Sequence, residues 1–157
     1  MIDEIKIRKG KLDDLIEIQL IFVETVSTIC QKDYSRNQIK AWISSVENRK
    51  RWLNIIENQY LIIAKYKNQI VGFCSLDKSN YIDMFYVHKD YQGRGIAQKL
   101  YSEIEKEARR QNQKKLTSDV SKTAKPFFEK NDFKIVKEQA VIRQNIKLTN
   151  FKMEKNI

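Results

Sequence analysis

The stretch Tyr81–Leu100, YIDMFYVHKDYQGRGIAQKL, carries an aromatic and β-branched run into a pair of glycines and out again into helix formers. The chain has only four glycines, and two of them, Gly93 and Gly95, fall in this one bend. Glycine adopts positive φ at no steric cost and lets backbone approach a ligand without an intervening Cβ. A helix starting near Gly95 points its first unpaired amides back into the bend, where the helix dipole adds about half a positive charge. Such a bend is a cradle for a diphosphate, formed by the backbone from Gln92 to Gln98.

The flanks give the setting. Upstream, YLIIAKYKNQIVGFCSLDKSNYIDMFYVHK divides into three strand-like runs separated by the polar turns KNQ and DKSN, the pattern of an antiparallel meander. Downstream, Ile96, Leu100, Ile104 and Ala108 form an apolar stripe at helical spacing, and KKLTSDVS reads as a strand. Strand, helix, strand in this order is a crossover that makes its two strands parallel if they share a sheet. At the N-terminus, EIKIRKG alternates as a strand. From Leu12 the period changes, with Leu15, Ile18, Phe22, Val26 and Ile29 on one helical face. Ser35 and Gln38 have capping-box spacing ahead of a second helix carrying Ile39, Trp42, Ile43 and Val46. RWLNIIENQ predicts a third, short helix. SKTAKPFFEKNDF predicts a final helix opened by Ser121 or Thr123, and the runs on either side of Gln144 and Asn145 predict a closing hairpin. The expected fold class is α/β (α+β): a mixed, mostly antiparallel sheet with one parallel strand pair and helices on both faces, residues 1–157 forming a single domain.

Composition narrows the function. Hydrophobic residues make up 41% and charged residues 32% of the chain, a globular balance. No apolar run approaches the roughly 20 residues needed to span a bilayer, and MIDEIKIRKG lacks the apolar core of a signal peptide. A cytoplasmic protein with reduced, buried Cys30 and Cys74 is expected, and no metal-ligand cluster is visible. The net charge of +10 is uneven: residues 1–85 hold 13 Lys and Arg against 11 Asp and Glu, residues 86–157 hold 17 against 9. A basic half suits a polyphosphorylated small molecule, an acidic membrane surface or nucleic acid. No helix-turn-helix, aromatic RNA platform or zinc motif supports nucleic acid.

Three phosphate motifs compete for the bend. A P-loop needs Lys and Ser or Thr after its last glycine, and GRGIAQ has neither. The dinucleotide fingerprint needs a third glycine where Gln98 stands, and several βαβ units where only one crossover remains. QGRGIA, Gln92 to Ala97, matches Gln/Arg-x-x-Gly-x-Gly/Ala. With its flanking elements and the AKPFFEKNDF segment, the sequence resembles the GNAT superfamily of acyl-CoA-dependent N-acyltransferases over essentially its whole length. The ending LTNFKMEK resembles the bacterial YafP-like subgroup in particular.

The resemblance implies a GNAT-like acyl-CoA N-acyltransferase fold and transfer of an acetyl group from acetyl-CoA to a primary amine of a small molecule or peptide by direct attack, with both substrates bound at once. Coenzyme A would lie where the strand ending at Val87 splays from KLTSDVS. The backbone of Phe85, Tyr86 and Val87 would meet the pantetheine arm, and the amides of Gln92, Gly93, Arg94, Gly95, Ile96, Ala97 and Gln98 the pyrophosphate. Ser121 stands where many relatives carry asparagine on that arm. Lys122, Lys125 and the Arg94 side chain are candidates to face phosphates. An amine of pKa ~10.4 is ~3.4 units from neutral at pH 7, and its free base costs ~4.6 kcal/mol, so a general base is expected. Asp83 is the candidate, two residues before Phe85 and on its face if alternation holds. The family's usual proton-donating tyrosine is replaced by Phe128, leaving Cys74, Ser118, Ser121 and Tyr86 as alternatives. Phe128 then reads as core and cofactor packing. Tyr34, Trp42 and Trp52 are candidates for the wall of the amine pocket. A noncatalytic acyl-CoA sensor is the alternative that Phe128 raises, and a homodimer is compatible with the sequence.

Overall fold

A computed structural model describes all 157 residues. The chain folds into one seven-stranded sheet: β1 Ile5–Lys9, β2 Tyr60–Tyr66, β3 Gln69–Asp77, β4 Tyr81–Val87, β5 Lys115–Ser121, β6 Lys134–Arg143 and β7 Ile146–Asn156, in the spatial order β1-β2-β3-β4-β5-β7-β6. All neighbours are antiparallel except β4 and β5. Five α-helices accompany it: α1 Leu15–Ile29, α2 Arg36–Ile43, α3 Arg49–Asn58, α4 Ile96–Arg110 and α5 Lys125–Lys130. No helix is long and apolar enough to cross a membrane.

The sheet divides the core in two. One cluster of 18 buried residues joins α4 and α5 to the sheet face carrying Ile62, Val71, Cys74 and Ile82. The other, of 17, joins α1, α2 and α3 to the face carrying Ile63, Phe73 and Met84. Local sequence sets the helix ends. Ser35 Oγ accepts from the Gln38 amide at 3.2 Å while Gln38 Oε1 accepts from the Ser35 amide at 2.8 Å, the reciprocal cap that starts α2. The final helix is shorter than expected, because residues 121–124 form a turn between β5 and α5 instead of its first turn. Ser121 Oγ accepts from the Ala124 amide at 3.1 Å, closing a turn, and α5 starts only at Lys125 with Pro126 in its first turn. Gln144 and Asn145 both take positive φ, 49° and 63°, in the two-residue turn of the closing hairpin.

One irregularity positions the site. Cys74 pairs with Phe85 and Leu76 with Ile82, so Ser75 alone opposes both Asp83 and Met84: β4 carries a bulge. The extra residue re-aims the strand. Ile82 belongs to the α4 face, Met84 to the α1 face, and Phe85, Tyr86 and Val87 then alternate between them. Ser75, fully buried, holds the bulge by accepting from the Met84 amide through Oγ at 3.0 Å. Beyond this point β4 and β5 part company, paired only at Tyr81–Thr117 and Ile82–Ser118.

Ser75→Ala leaves the buried Met84 amide without an acceptor and lowers stability by about 1–3 kcal/mol, read as a drop in the urea midpoint. Arg8 donates to both Asp14 carboxylate oxygens at 2.8 and 2.9 Å, tying β1 to the entry of α1. This pairing, ahead of the opposing burial, holds the Asp14 carboxyl below the usual carboxylate range. A depressed folded pKa stabilises above the unfolded value and is lost as pH falls through the folded one. Arg8→Met leaves the buried Asp14 carboxylate short of two donors and therefore costs about 1–3 kcal/mol at pH 7, and its deficit shrinks below about pH 4 in denaturation curves recorded across pH.

Candidate active site

The gap between β4 and β5 opens into a cavity of about 670 Å³. Its first wall is the free edge of β4. The His88 amide donates to Val71 O at 2.8 Å, which makes that pair a hydrogen-bonded one; Val87–Gly72 and Phe85–Cys74 are then the non-bonded pairs of the ladder. The N–H and C=O groups of Phe85 and Val87 accordingly point away from β3, into the gap. The Val87 carbonyl is already taken, accepting from Thr25 Oγ1 at 3.0 Å and Gln92 Nε2 at 2.7 Å. That leaves three strand-like groups: the Phe85 amide and carbonyl and the Val87 amide.

The second wall is the glycine bend. Gly93 and Gly95 have φ of 71° and 84°, so each residue is there for a conformation that other L-residues resist. A methyl at Gly93 would meet nothing within 4 Å, and one at Gly95 only Ile2 at 3.5 Å, so the backbone angle rather than crowding is the constraint. Gln92 locks the bend from inside through its bond to Val87 O. No side chain caps α4, and the amides of residues 93–98 find no acceptor within the protein. They stand beside the cavity that Gly93, Gly95, Ile96, Ala97 and Gln98 line.

The basic side chains are arranged otherwise than the sequence led us to expect. The Arg94 guanidinium lies over the Tyr91 ring at 5.1 Å, the Lys125 ammonium over Phe151 at 4.9 Å and the Lys122 ammonium over Tyr34 at 5.3 Å, and none of the three lines the cavity. Lys130, at the end of α5, is the one Lys or Arg on its wall. Nothing in the sequence marks it out from its neighbours. The Arg94 backbone lies in the bend, while its guanidinium rests on the Tyr91 ring.

The aromatic lining is closer to expectation. Phe128 is buried in an edge-to-face cluster with Phe85 (5.9 Å), Phe127 (5.8 Å) and Phe133 (5.0 Å), and borders the cavity with Phe127. Ser121 lines it too, with its hydroxyl engaged by the Ala124 amide. Cys74 is fully buried in the core and lies off the cavity, which removes it as a proton donor, and Ser118 donates its proton to Ile82 O at 2.8 Å. Tyr86 borders the cavity with its hydroxyl beside the Trp42 indole; burial, the larger effect, pushes its phenol well above the usual tyrosine range, so it keeps its proton.

Asp83 lies on the cavity wall, though not on the face of Phe85. The bulge breaks the alternation that placed them together and turns Asp83 toward α3. There it accepts from Arg51 at 2.9 and 3.2 Å and from Gln59 at 2.7 Å, with its side chain 10% exposed. Arg51 was not singled out by sequence, since one basic residue among the three that open α3 carries no signal of its own. A second cavity of about 210 Å³ meets the first across Trp42, Asp83 and Tyr86. Tyr34 walls this smaller space, packs edge-to-face on Trp42 at 5.3 Å, and uses its hydroxyl structurally: it donates to Thr149 O at 2.6 Å and accepts from the Lys122 amide at 2.9 Å. Trp52 does not reach either cavity. It is fully buried between Phe22 and Phe73, with its indole N–H donated to Ser45 O at 3.1 Å.

Known proteins share this fold. A family model described as the acetyltransferase (GNAT) domain matches residues 30–155. The chain is 35% identical over 151 residues, 96% of its length and 95% of the relative's, to the uncharacterized N-acetyltransferase YafP of Escherichia coli (strain K12). A GCN5-related N-acetyltransferase structure from Rhodopseudomonas palustris superposes with a TM-score of 0.93 at 31% identity, covering 97% of this chain and 95% of that one. The PaiA N-acetyltransferase of Thermoplasma acidophilum, solved with coenzyme A, shares the fold at a TM-score of 0.80 and 21% identity over 98% and 99% of the two chains. With the glycine bend, the splayed strands and these relatives in agreement, the chain belongs to the GNAT acetyltransferases and is an acetyl-CoA-dependent acyltransferase.

Proposed function

We propose that all 157 residues form one N-acetyltransferase domain that binds acetyl-CoA in the larger cavity and an amine in the smaller, and that the acetyl group passes directly between them in a ternary complex. The observation that carries the reading is the row of acceptor-less amides from Gly93 to Gln98 beside an open cavity. Amides with no partner in the protein are satisfied by an anion, and a pyrophosphate offers enough oxygens for several of them. Lys130 adds its charge at that wall. The Phe85 amide and carbonyl and the Val87 amide can bond the pantetheine amides as a neighbouring strand would, with Phe127 and Phe128 packing against the arm.

Acetyl-CoA supplies the acyl group as a thioester, whose carbonyl carbon takes the amine nitrogen as the carbon–sulfur bond breaks. Asp83 stands where the two cavities meet. Arg51 and Gln59 fix its orientation, and three bonds leave one lone pair of its oxygens for the amine or for a water between them, so Asp83 takes the proton the amine loses. Tyr86, protonated and at the same junction, donates a hydrogen bond to the sulfur as charge develops there. It stands in for the hydroxyl that Phe128 lacks.

Acetyl-CoA at a hundredfold excess over its Kd should stabilise the protein by about 2.7 kcal/mol, read as an upward shift in Tm; no shift at millimolar ligand refutes the reading. Gly95→Ala, which must hold alanine at positive φ, should cost about 1–2 kcal/mol in the free protein and weaken acetyl-CoA further, measured by titration calorimetry. Asp83→Asn keeps the shape but cannot accept the proton, and should lower kcat by about 10²–10⁴ with acetyl-CoA affinity unchanged. A drop in affinity with kcat preserved would assign Asp83 to scaffolding instead.

A further inference from the structure

The charges along the joined cavities are ordered. Both carboxylates, Asp83 and Asp119, line the junction shared by the two spaces, whereas both guanidinium groups, Arg51 and Arg143, line only the smaller one. Their commitments differ. Arg51 is spent on Asp83 through two bonds, but Arg143, exposed on β6 next to the closing turn, forms no salt bridge and donates no hydrogen bond to the protein. Asp119 accepts from Tyr81 at 2.9 Å and from Gln139 at 2.7 Å, one bond per oxygen, which leaves it further capacity.

A second observation lies on the same wall. The side-chain oxygen of Asn150, on β7, is buried and has no hydrogen-bond donor, a costly condition for a polar atom that a ligand N–H would relieve. The hairpin that brings Asn150 and Arg143 to the cavity is held in place: Tyr34 donates to Thr149 O at 2.6 Å and Gln38 to Lys147 O at 3.0 Å. Aromatic rings of Phe22, Tyr34, Trp42, Tyr81 and Tyr86 complete the lining. At about 210 Å³ the space admits a compact molecule rather than a folded protein surface.

From this order we infer that the acceptor is a small zwitterion of amino-acid type, its amine at the Asp83–Asp119 junction and its carboxylate on Arg143. The inference rests on the acetyl-transfer reading above and adds the substrate class. An amine lying beside two carboxylates and the Asn150 carbonyl is oriented toward the cavity where the thioester would end. The carboxylate of such a molecule meets the unpaired guanidinium, the side chain best shaped for planar, two-point recognition of an oxyanion. An uncharged or purely cationic amine would leave Arg143 without a counter-charge.

The test compares three forms of each amine skeleton: the amino acid, its carboxamide and the decarboxylated amine. Acetylated product is quantified by mass spectrometry, and acetyl-CoA binding is measured in parallel by calorimetry. Amino acids should be used at least about 10-fold better in kcat/KM than their carboxamides, the loss expected for one charge-assisted contact. Arg143→Met should raise KM for the amino acid by about 10- to 100-fold while acetyl-CoA affinity holds, and Arg143→Lys should recover part of that loss. Equal use of carboxamides or decarboxylated amines, an unchanged KM in Arg143→Met, or acetyl-CoA binding with no amino acid acetylated or bound would each overturn the inference and leave the acetyl-transfer reading standing. Failure to bind acetyl-CoA would overturn both.

Discussion

The structure depends on the parting of two neighbouring strands. β4 and β5 share only two residue pairs before they diverge, and every element of the site is placed by that divergence. A sheet that stayed zipped would satisfy the Phe85 and Val87 backbone internally. Because it opens, polar backbone is left facing a cavity, at a cost that the protein tolerates only where water or a ligand completes the bonding. The bulge at Asp83 and Met84, the Ser75 hydroxyl beneath it, and the ties from Thr25 and Gln92 to the Val87 carbonyl all hold the end of β4 away from β5. The two cores then clamp the opened sheet from both sides.

The same divergence sorts the chemistry. Main-chain donors gather at the glycine bend, acceptors gather where Asp83 and Asp119 meet, and the aromatic cluster around Phe128 lies between. At the glycine bend the free donors are a run of amides rather than one residue type, and amides need no deprotonation or rotamer search to act. The lysine-rich composition of the second half contributes less than its total suggests. Arg94, Lys122 and Lys125 rest on aromatic faces, where their charge is partly engaged, and Lys130 alone turns to the cavity.

Much of this was legible in the sequence. The period of the apolar residues gave the order of helices and strands, the Ser35–Gln38 spacing gave the start of α2, and the two clustered glycines gave the bend, because each of these is a local rule acting over a few residues. What escaped is non-local. Whether Asp83 faces with Phe85 or against it turns on one extra residue opposite Ser75, and no pattern within β4 announces it. The destination of a long cation depends on which ring stands within reach from another element. Trp52 reads like Trp42, as an aromatic on an amphipathic helix, yet it is sealed between Phe22 and Phe73 while Trp42 borders both cavities. The pairing of Arg51 with Asp83 joins residues 32 positions apart, a contact that only the packed fold creates.

The strand order has a bearing on how the chain reaches this state. β7 lies between β5 and β6, and β5 has no partner but β7 along most of its length. Residues 115–121 therefore wait with one edge unpaired until residues 146–156 have been synthesised and have threaded back beside them. During that interval the nascent protein exposes the kind of open strand edge on which chains stick to one another. Engagement of β7 is thus the step that seals the sheet, and any delay in it lengthens the window in which self-association competes with maturation.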